Sequence, residues 1–412
     1  MTKQELQEKL VEQRHKKLIL LEWCTSLGKS FAAIRLAKEF NSKKILLLVS
    51  EEQHKRNWVE EINKYKSLYG YDLLSGAVTI ICYASLKNYT DTEWDLLVAD
   101  ECHHISEARQ EYLSTIKIEK VIGLSATLEP IQVENFIKVI FGDNSNSYYH
   151  SKITLKEAIK AKIIPEPDIY LIPLELNNTL LTETITESWG SINKRVPITC
   201  TYKDMWAYKK NKLKYPNVTL TIRCAQSQKD EYYNNIIDYY KNRFMRNYQE
   251  ADKQRWLRYG NLRKLYLGNI KTKDTLKLIS KLQGKRFICF CSNIEQAELL
   301  GNDKAIHSKN TSKTNSKILS KFQNKDINDL YCVGMLTEGQ NLKDIDAGII
   351  VQLDGKERPF IQKSGRILRS ENPIQFIFYF KGTRDEEYLN NILEGINKEY
   401  IQVIDNLETF YL

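Results

Sequence analysis

The chain has 412 residues, of which 42% are hydrophobic and 27% charged; this composition excludes wholesale disorder, and the length suggests about two or three domains. The sequence has neither an N-terminal apolar run with a cleavage site nor an apolar stretch of membrane-spanning length, so we expect a cytoplasmic protein without membrane contact. Its 8 cysteines form no C-x-x-C pair and so indicate neither a disulfide framework nor a zinc ribbon, and the net charge of +9 is concentrated in residues 201–270.

The first 145 residues predict an α/β unit built on a parallel, doubly wound sheet. Short apolar runs of strand length alternate there with segments whose apolar residues have helical spacing. Ligands of such sheets bind where the strands end and the chain turns into helices, so functional residues are expected at those ends. The predicted strands are 18–21, 44–49, 78–83, 96–99 and 120–124.

The turn after the first strand predicts a phosphate-binding loop, because N–H groups at a helix start and the helix dipole both favour anions. Lys29 would pair with the β- and γ-phosphates of ATP, and the Ser30 hydroxyl would bind Mg²⁺. The loop departs from G-x-x-x-x-G-K-[ST], since Trp23 replaces the first glycine and Ser26 stands where many loops have glycine. An ordinary strand–turn–helix is the alternative. The candidate nucleotide-binding residues are Thr25, Ser26, Leu27, Gly28, Lys29 and Ser30.

A later strand of the same unit ends in two adjacent carboxylates. Asp100, at the strand tip, can hold Mg²⁺, and Glu101 can polarise the water that attacks the γ-phosphorus. His103 and His104 follow, but neighbouring histidines splay apart, whereas metal-binding pairs on helices sit at i and i+4. We therefore expect a nucleotide-hydrolysis site here and no zinc site.

Residues 100–103 resemble the D-E-x-H box of superfamily 2 helicases and translocases. Residues 123–127 resemble the S-A-T motif III of that family, 48–50 with 57–62 resemble motif Ia, and 81–86 resemble motif Ib. The resemblance implies that Gln4, upstream of the phosphate loop, reads adenine. It also implies a set of residues that contact nucleic acid or couple it to the nucleotide: Ser50, Tyr83, His103, Ser125 and Thr127.

Residues 166–271 are predicted to form a linker and a basic, aromatic-rich helical insertion. Pro165 and Pro167 mark an extended linker, followed by strand-like segments at 168–174 and 219–224 and helical spacing from Gln226 onward. Residues 201–270 hold 15 basic and 6 acidic residues together with 13 aromatics. That combination suggests a polyanion partner such as nucleic acid; the alternative is a solvated helical face with tyrosines packed inward.

Residues 272–412 predict a second α/β unit, with strands at 285–292, 329–334 and 347–353. A Q-x-x-G-R-x-x-R pattern follows. On a helix, Gln362, Arg366 and Arg369 would share one face at i, i+4 and i+7, where guanidinium groups could reach a triphosphate held by the first unit. A solvated basic face is the alternative.

This pattern resembles motif VI of the same superfamily, which implies an arginine finger. Residues 337–341 resemble motif V, which places Gly339 and Asn341 at the nucleotide and Thr337 at the nucleic-acid backbone. Residues 290–293 resemble motif IV, which places Ser292 at the nucleic acid.

The resemblance covers residues 1–165 and 272–380. It implies two RecA-like lobes, 1–165 and 272–412, that bind ATP and Mg²⁺ in their cleft and a nucleic-acid strand across them, with DNA favoured over RNA. The chain looks similar to phage recombination and branch-migration helicases, and its composition suggests a phage or a low-GC bacterium. Alternatives are a nucleic-acid-binding clamp without turnover and the motor subunit of a restriction or repair complex; a metabolic P-loop kinase would leave the C-terminal motifs unexplained.

Overall fold

The structure, a computed structural model, contains two parallel-sheet α/β lobes and a smaller unit between them in sequence. Their arrangement follows from alternating apolar strands and amphipathic helices, as predicted. The described residues are 2–141, 147–334, 342, 344–354, 360, 363–364, 367, 372–394 and 396–412.

The first lobe has a six-stranded parallel sheet of order β3-β2-β4-β5-β1-β6, which confirms the predicted doubly wound fold. The five strands predicted from the sequence are all present. The sixth, β6, pairs with β1 and forms one edge of the sheet. Its strands are β1 (Leu18–Trp23), β2 (Lys44–Val49), β3 (Ala77–Cys82), β4 (Glu93–Asp100), β5 (Lys117–Ser125) and β6 (Tyr148–Ile153). Its helices are α1 (Lys3–Val11), α2 (Lys29–Glu39), α3 (Glu52–Tyr69), α4 (Glu107–Ser114), α5 (Pro130–Phe141) and α6 (Leu155–Lys160), with short 3₁₀ helices at Leu73–Ser75, Tyr83–Tyr89 and Cys102–His104.

The second lobe has a seven-stranded parallel sheet of order β12-β13-β11-β14-β15-β7-β16. Its strands are β7 (Asp168–Leu174), β11 (Phe287–Phe290), β12 (Ala305–Ile306), β13 (Asp329–Cys332), β14 (Ala347–Ile350), β15 (Ile374–Phe380) and β16 (Ile401–Val403). Its helices are α10 (Thr272–Lys281), α11 (Ile294–Gly301), α12 (Ser312–Gln323) and α13 (Arg384–Leu393), with 3₁₀ helices at Asn302–Lys304 and Lys398–Tyr400.

Strand β7 lies in the second sheet, although the sequence analysis placed its residues in the linker and insertion. It pairs with β15, Asp168 opposite Ile374, and with β16 on its other side. Its apolar residues Ile169 and Ile172 are each only 1% exposed, because they pack into the core of that lobe. The chain therefore enters the second lobe once, leaves it for the smaller unit, and then returns.

The smaller unit combines a three-stranded sheet of order β8-β10-β9 with a helical hairpin. Its strand β8 has a largely polar pattern, because it buries few of its side chains. The long helices predicted after Gln226 are present as the hairpin. The elements are β8 (Glu183–Trp189), β9 (Val196–Thr201), α7 (Met205–Lys210), β10 (Val218–Cys224), α8 (Gln226–Asn247) and α9 (Glu250–Ile270), with a 3₁₀ helix at Ile192–Lys194.

The base of the hairpin is fixed to the second lobe by buried polar contacts. Lys271, at the end of α9, is fully buried and its Nζ donates to Asp385 Oδ2 at 2.6 Å and to Gln352 Oε1 at 2.8 Å. Gly268 packs so closely on Ser292 that a Cβ there would lie 2.3 Å from the serine Oγ. The end of α9 therefore lies beside the residues that follow β11, where the motif IV resemblance was found. Within the described part of the chain, none of the helices has the length and apolar character needed to cross a bilayer.

Candidate functional site

The loop between β1 and α2 has the backbone shape of an anion-binding turn. Gly28, the N-cap of α2, has φ of +83°, and Ser26 has φ of +70°, a left-handed conformation that side chains disfavour. The Lys29 ammonium donates a 2.9 Å hydrogen bond to the Trp23 carbonyl at the start of the loop. The lysine therefore lies over the loop whose N–H groups and helix dipole favour phosphate.

Trp23 fills the first glycine position without placing its side chain in the loop. Its indole is fully buried in the core, and its Nε1 donates to Ser151 Oγ of β6 at 2.8 Å. The hydrogen bond from Lys29 is accepted by the backbone carbonyl of Trp23, and the indole is not part of it. The departure from the usual motif is thus accommodated by packing the larger residue away from the phosphate-binding turn.

The glutamine that contacts the loop is Gln7, whereas the adenine-reading role of Gln4 stays a prediction. Gln4 is exposed, and its amide donates to Glu8 Oε1 at 3.3 Å. Gln7 is 8% exposed, and its Nε2 lies 3.5 Å from the Gly28 carbonyl oxygen. Gln7 lies on the apolar face of α1 with Leu6, and that face packs on α2. This position is the sequence signal that could have indicated the contact of Gln7 with the loop.

Asp100 ends β4 with its carboxylate fixed by two donors. Trp58 Nε1 of α3 donates to Oδ2 at 2.8 Å, and the Glu101 N–H lies 3.1 Å from Oδ1. Burial, and then the negative charge of Glu101, raise the pKa of Asp100 to about 6, whereas the indole donor and the positive charge of Lys29 oppose that rise. Because β1 and β4 belong to one parallel sheet, Lys29 after β1 and Asp100 at the end of β4 lie at the same edge of that sheet.

Glu101 is held in the left-handed region, with φ of +49°, immediately after the strand. Its Oε2 lies 3.3 Å from His103 Nδ1. The same ring nitrogen is 3.1 Å from Ser125 Oγ at the end of β5, and that hydroxyl donates to the Thr127 carbonyl at 2.9 Å. The turn after β4 and the loop after β5 are therefore connected through His103.

Two other predicted coupling residues lie near this chain in the first lobe. Tyr83 is buried, and its hydroxyl donates to the Asp100 carbonyl at 2.8 Å, which positions the strand end that carries the carboxylates. Ser50 follows β2, and its Oγ lies 2.7 Å from His54 Nδ1 on α3. The contact of Trp58 with Asp100 could not be predicted from the sequence, because nothing in the spacing of Trp58 shows that α3 turns its indole toward β4.

In the second lobe, Ser292 follows β11 and both its N–H and its Oγ donate to Gln296 Oε1, at 2.8 and 3.0 Å. Gln296 in turn donates to the Gly268 carbonyl and to Thr272 Oγ1, each at 2.8 Å. The motif IV serine is thus part of the attachment of the hairpin. Its contact with nucleic acid stays a prediction.

Six predicted residues of the second lobe lie outside the described residues: Thr337, Gly339, Asn341, Gln362, Arg366 and Arg369. Three described neighbours in the motif VI segment, Phe360, Ser364 and Ile367, are buried in the second lobe. A fourth, Lys363, donates to Asp354 Oδ2 at 3.1 Å, while Asp354 Oδ1 accepts from Lys264 of α9 at 2.6 Å. Asp354 therefore joins this segment to the helical hairpin.

The oxygen ligands expected for Mg²⁺ are the Ser30 hydroxyl and the Asp100 carboxylate. Hydroxyl and carboxylate oxygens, completed by phosphate oxygens and water, are the ligands that this cation prefers. Among the described residues, no group of three or more histidine, cysteine or acidic side chains is arranged to hold a metal ion by itself. The residues present fit a cation that is bound together with a nucleotide.

Two families match the sequence, one in each lobe. Residues 2–130 match the family described as type III restriction enzyme, res subunit, and residues 270–371 match the helicase conserved C-terminal domain. Each lobe thus resembles a different domain, the second one a helicase domain. Among curated proteins, no sequence is significantly similar to this chain.

Solved helicase structures share the fold of this chain. S. cerevisiae Dbp5 bound to RNA and ADP BeF3 is 11% identical, with a TM-score of 0.57 over 97% of this chain and 89% of that one. The Pyrococcus furiosus Hef helicase domain is 13% identical, with a TM-score of 0.51 over 94% of this chain and 97% of that one. At these identities the likeness establishes the two-lobed RecA-like fold alone.

Proposed function

We propose that this protein hydrolyses ATP with Mg²⁺ between its two lobes and uses the cycle to move along a nucleic-acid strand. The observation that carries the proposal is the position of Lys29, Asp100 and Glu101 at the carboxyl ends of β1 and β4, at one edge of the parallel sheet. Phosphoryl transfer needs a phosphate-binding lysine, a metal-binding carboxylate and a residue that orients water. These three side chains supply them.

Each residue has a separate role. Lys29 pairs with the β- and γ-phosphates, Ser30 and Asp100 would hold Mg²⁺, and Glu101 orients the attacking water and accepts its proton. The cation, when bound, neutralises charge on the phosphate oxygens. Arg366 and Arg369 are proposed as fingers from the second lobe, so ATP favours the closed arrangement and hydrolysis releases it.

The polar chain from Glu101 through His103 and Ser125 to Thr127 is proposed to transmit the nucleotide state to the strand-binding surface. A change in what Glu101 binds alters its contact with His103 and so biases the loop after β5. The lobes are proposed as 1–165 and 272–412, the second completed by β7, which lies in its sheet; the rest of 166–271 is proposed as linker and insertion.

DNA is proposed as the substrate ahead of RNA, since the N-terminal match is to a restriction-enzyme subunit. The RNA bound in the Dbp5 structure makes RNA the competing substrate. The D-E-x-H subgroup and a relationship to phage branch-migration helicases form the narrower part of this proposal. They rest on the residues 100–103 and on the form of the phosphate loop.

An ATPase assay with single-stranded, duplex and forked DNA and with RNA tests the proposal. Lys29→Ala, Glu101→Gln and Arg369→Ala should each abolish the stimulated activity while leaving the melting temperature unchanged, the finger substitution by about 10³-fold or more. Glu111→Gln, an exposed carboxylate on α4, is the matched control and should retain activity. Undiminished ATPase in Glu101→Gln would refute the role of Glu101.

A second function, the motor subunit of a restriction or repair complex, is favoured by the match of residues 2–130 to a res subunit. Such a subunit would show nucleic-acid-dependent ATPase and would copurify with a nuclease or a methyltransferase. A clamp without turnover would instead bind nucleic acid in the same assays while Lys29→Ala changed nothing.

A further inference from the structure

A cleft of about 520 Å³ opens between the three-stranded sheet and the helical hairpin, outside the nucleotide site. Its size falls in the range of pockets that hold small organic groups, roughly 300–1,000 Å³. Glu187 of β8, Lys209 of α7 and Asn235 of α8 supply polar groups to its wall. The remainder is dominated by aromatic side chains: Tyr202, Trp206, Tyr232, Tyr239, Tyr240 and Tyr259.

Two of these rings are largely open to solvent. Trp206 is 48% exposed and Tyr239 is 56% exposed, whereas Tyr232 is buried in the core of the unit. Behind them Tyr240 stacks on Tyr259, with centroids 6.2 Å apart and an angle of 13° between the rings. Exposed aromatic faces gathered in one concave surface mark a binding site more often than isolated exposed residues do.

Cations lie beside the rings of the cleft. Lys209 Nζ is 5.0 Å from the Trp206 centroid, and the guanidinium of Arg243 is 5.6 Å from that of Tyr239. Acidic groups offset part of this charge, because Glu187 pairs with Lys209 at 2.5 Å and Asp252 pairs with Arg243 at 3.2 Å. Residues 201–270 nevertheless keep 15 basic against 6 acidic residues, so the surroundings favour a polyanion.

We propose that this cleft binds an unpaired nucleotide of a nucleic-acid strand, an inference that rests on the proposed function and names a second contact for the strand. The base stacks on Trp206 and Tyr239, and its phosphate lies beside Lys209 and Arg243. Stacking on aromatic side chains suits any base, because every base has a π-face. The Glu187 carboxylate can accept from an N–H group at the base edge, such as N3–H of thymine or uracil.

The test measures binding of fluorescein-labelled 12-nucleotide strands by anisotropy: thymidine DNA, uridine RNA, and a DNA backbone made of abasic sites. Trp206→Ala combined with Tyr239→Ala should weaken binding of the base-bearing strand about 5–150-fold, the range measured for stacked bases. Its effect on the abasic strand should stay within about two-fold, since only phosphate contacts remain there. Tyr248→Ala, a 76% exposed aromatic at the hairpin tip that does not line the cleft, is the control.

Equal binding of the base-bearing strands by the double variant and the wild type overturns the proposal, and so does an equal loss on base-bearing and abasic strands. Comparison of the DNA and RNA arms shows which strand the cleft takes. A wild-type protein that binds none of the strands overturns it as well. The failure of the proposed function is distinguishable: Lys29→Ala would then leave ATPase unchanged while the cleft variant still weakened binding.

Discussion

The indole Nε1–H of Trp58 donates to Oδ2 of Asp100 at 2.8 Å, and this bond joins helix α3 to the end of strand β4. A carboxylate that must hold Mg²⁺ needs a fixed orientation, and partners of metal ligands commonly supply it. The other carboxylate oxygen faces the N–H of Glu101. Trp58 is therefore a positioning residue for the proposed metal ligand.

Trp58→Phe keeps an apolar ring on α3 but removes the donor. We expect the Mg²⁺ concentration that gives half-maximal ATPase to rise about 10–100-fold, as for other partners of metal ligands. Trp94→Phe is the matched control, because the Trp94 indole also donates a 2.8 Å bond, to Thr92 Oγ1 in the same lobe. A magnesium titration of both variants decides the matter; identical curves would contradict the role of Trp58.

The fold of both lobes could be predicted because fully buried parallel strands leave continuous apolar runs, such as β1 and β2, bounded by polar turns. The positions of Gly28 to Ser30 and of the pair Asp100-Glu101 were also predictable, since these residues lie at the carboxyl ends of such strands. Short-range patterns therefore indicated where these candidate residues of the first lobe lie, and their chemistry stays a prediction.

Other features depend on contacts between distant segments, which spacing does not reveal. The spacing of Gln4 and Gln7 does not show which of them contacts the phosphate loop. The packing of α1 on α2 brings Gln7 to Gly28. Strand β8 buries mainly Ile185, so its alternation is too weak to predict a strand. The membership of β7 in the second sheet follows from its pairing with β15, which nothing local encodes.

The ion pair between Lys264 and Asp354 links the hairpin to Lys363 of the motif VI segment. Although burial raises the pKa of Asp354, the charges of Lys363 and Lys264 outweigh it and hold that pKa below its usual value. We expect Lys264→Met to lower the stimulation of ATPase by nucleic acid about 5-fold or more. Affinity for the strand should change less, by about two-fold, because one phosphate-binding cation is lost at most.

Lys304→Met provides a close control for that variant. Lys304 pairs with Asp329 at 2.7 Å in the same lobe, and the two pairs have nearly equal exposure, 36% and 21% against 37% and 21%. Stimulated and basal ATPase rates are measured beside strand affinity for both variants. Equal stimulation in the two would show that the bridge through Asp354 does not carry coupling.

Glu22, just before Trp23 at the end of β1, is 4% exposed and accepts bonds from Lys152 at 2.9 Å and His150 at 3.1 Å. Burial alone would raise the pKa of Glu22, but these contacts outweigh it and hold the pKa below its usual value. A lowered pKa stabilises the fold above the unfolded value of about 4.3, and this stability is lost as pH falls through the folded value.

Glu22→Gln should accordingly reduce the free energy of unfolding by about 1–3 kcal/mol at pH 7. The difference from wild type should shrink as the pH falls below about 4.3, because the carboxylate of the unfolded chain is protonated first and that of the folded protein only at its lower pKa. Urea unfolding at several pH values measures this, with the exposed Glu60→Gln expected within about 0.5 kcal/mol of wild type throughout. If the difference in the free energy of unfolding stayed constant with pH, the loss would come from altered side-chain packing and not from the lowered pKa of Glu22.

Removing one partner of the fully buried pair of Lys271 and Asp385 is expected to destabilise the fold strongly, whereas replacing both with apolar residues should destabilise it little. Lys271→Met leaves the Asp385 carboxylate with Gln352 as its remaining side-chain donor among the described contacts, and should destabilise the second lobe by about 3–5 kcal/mol. Adding Asp385→Leu removes the unpaired charge and should restore much of that loss, since well-packed apolar replacements of buried pairs are often neutral.

Amide hydrogen exchange of the β15 residues is the suitable measurement, because the 6 tryptophans all precede residue 257 and their fluorescence does not report on the second lobe. Exchange protection of β15 should fall in Lys271→Met and recover in the double variant. Because the two substitutions share one buried contact, their effects should be strongly non-additive. Equal loss in the single and double variants would attribute the cost to side-chain volume, and the base of the hairpin would then be held by packing instead of by charge.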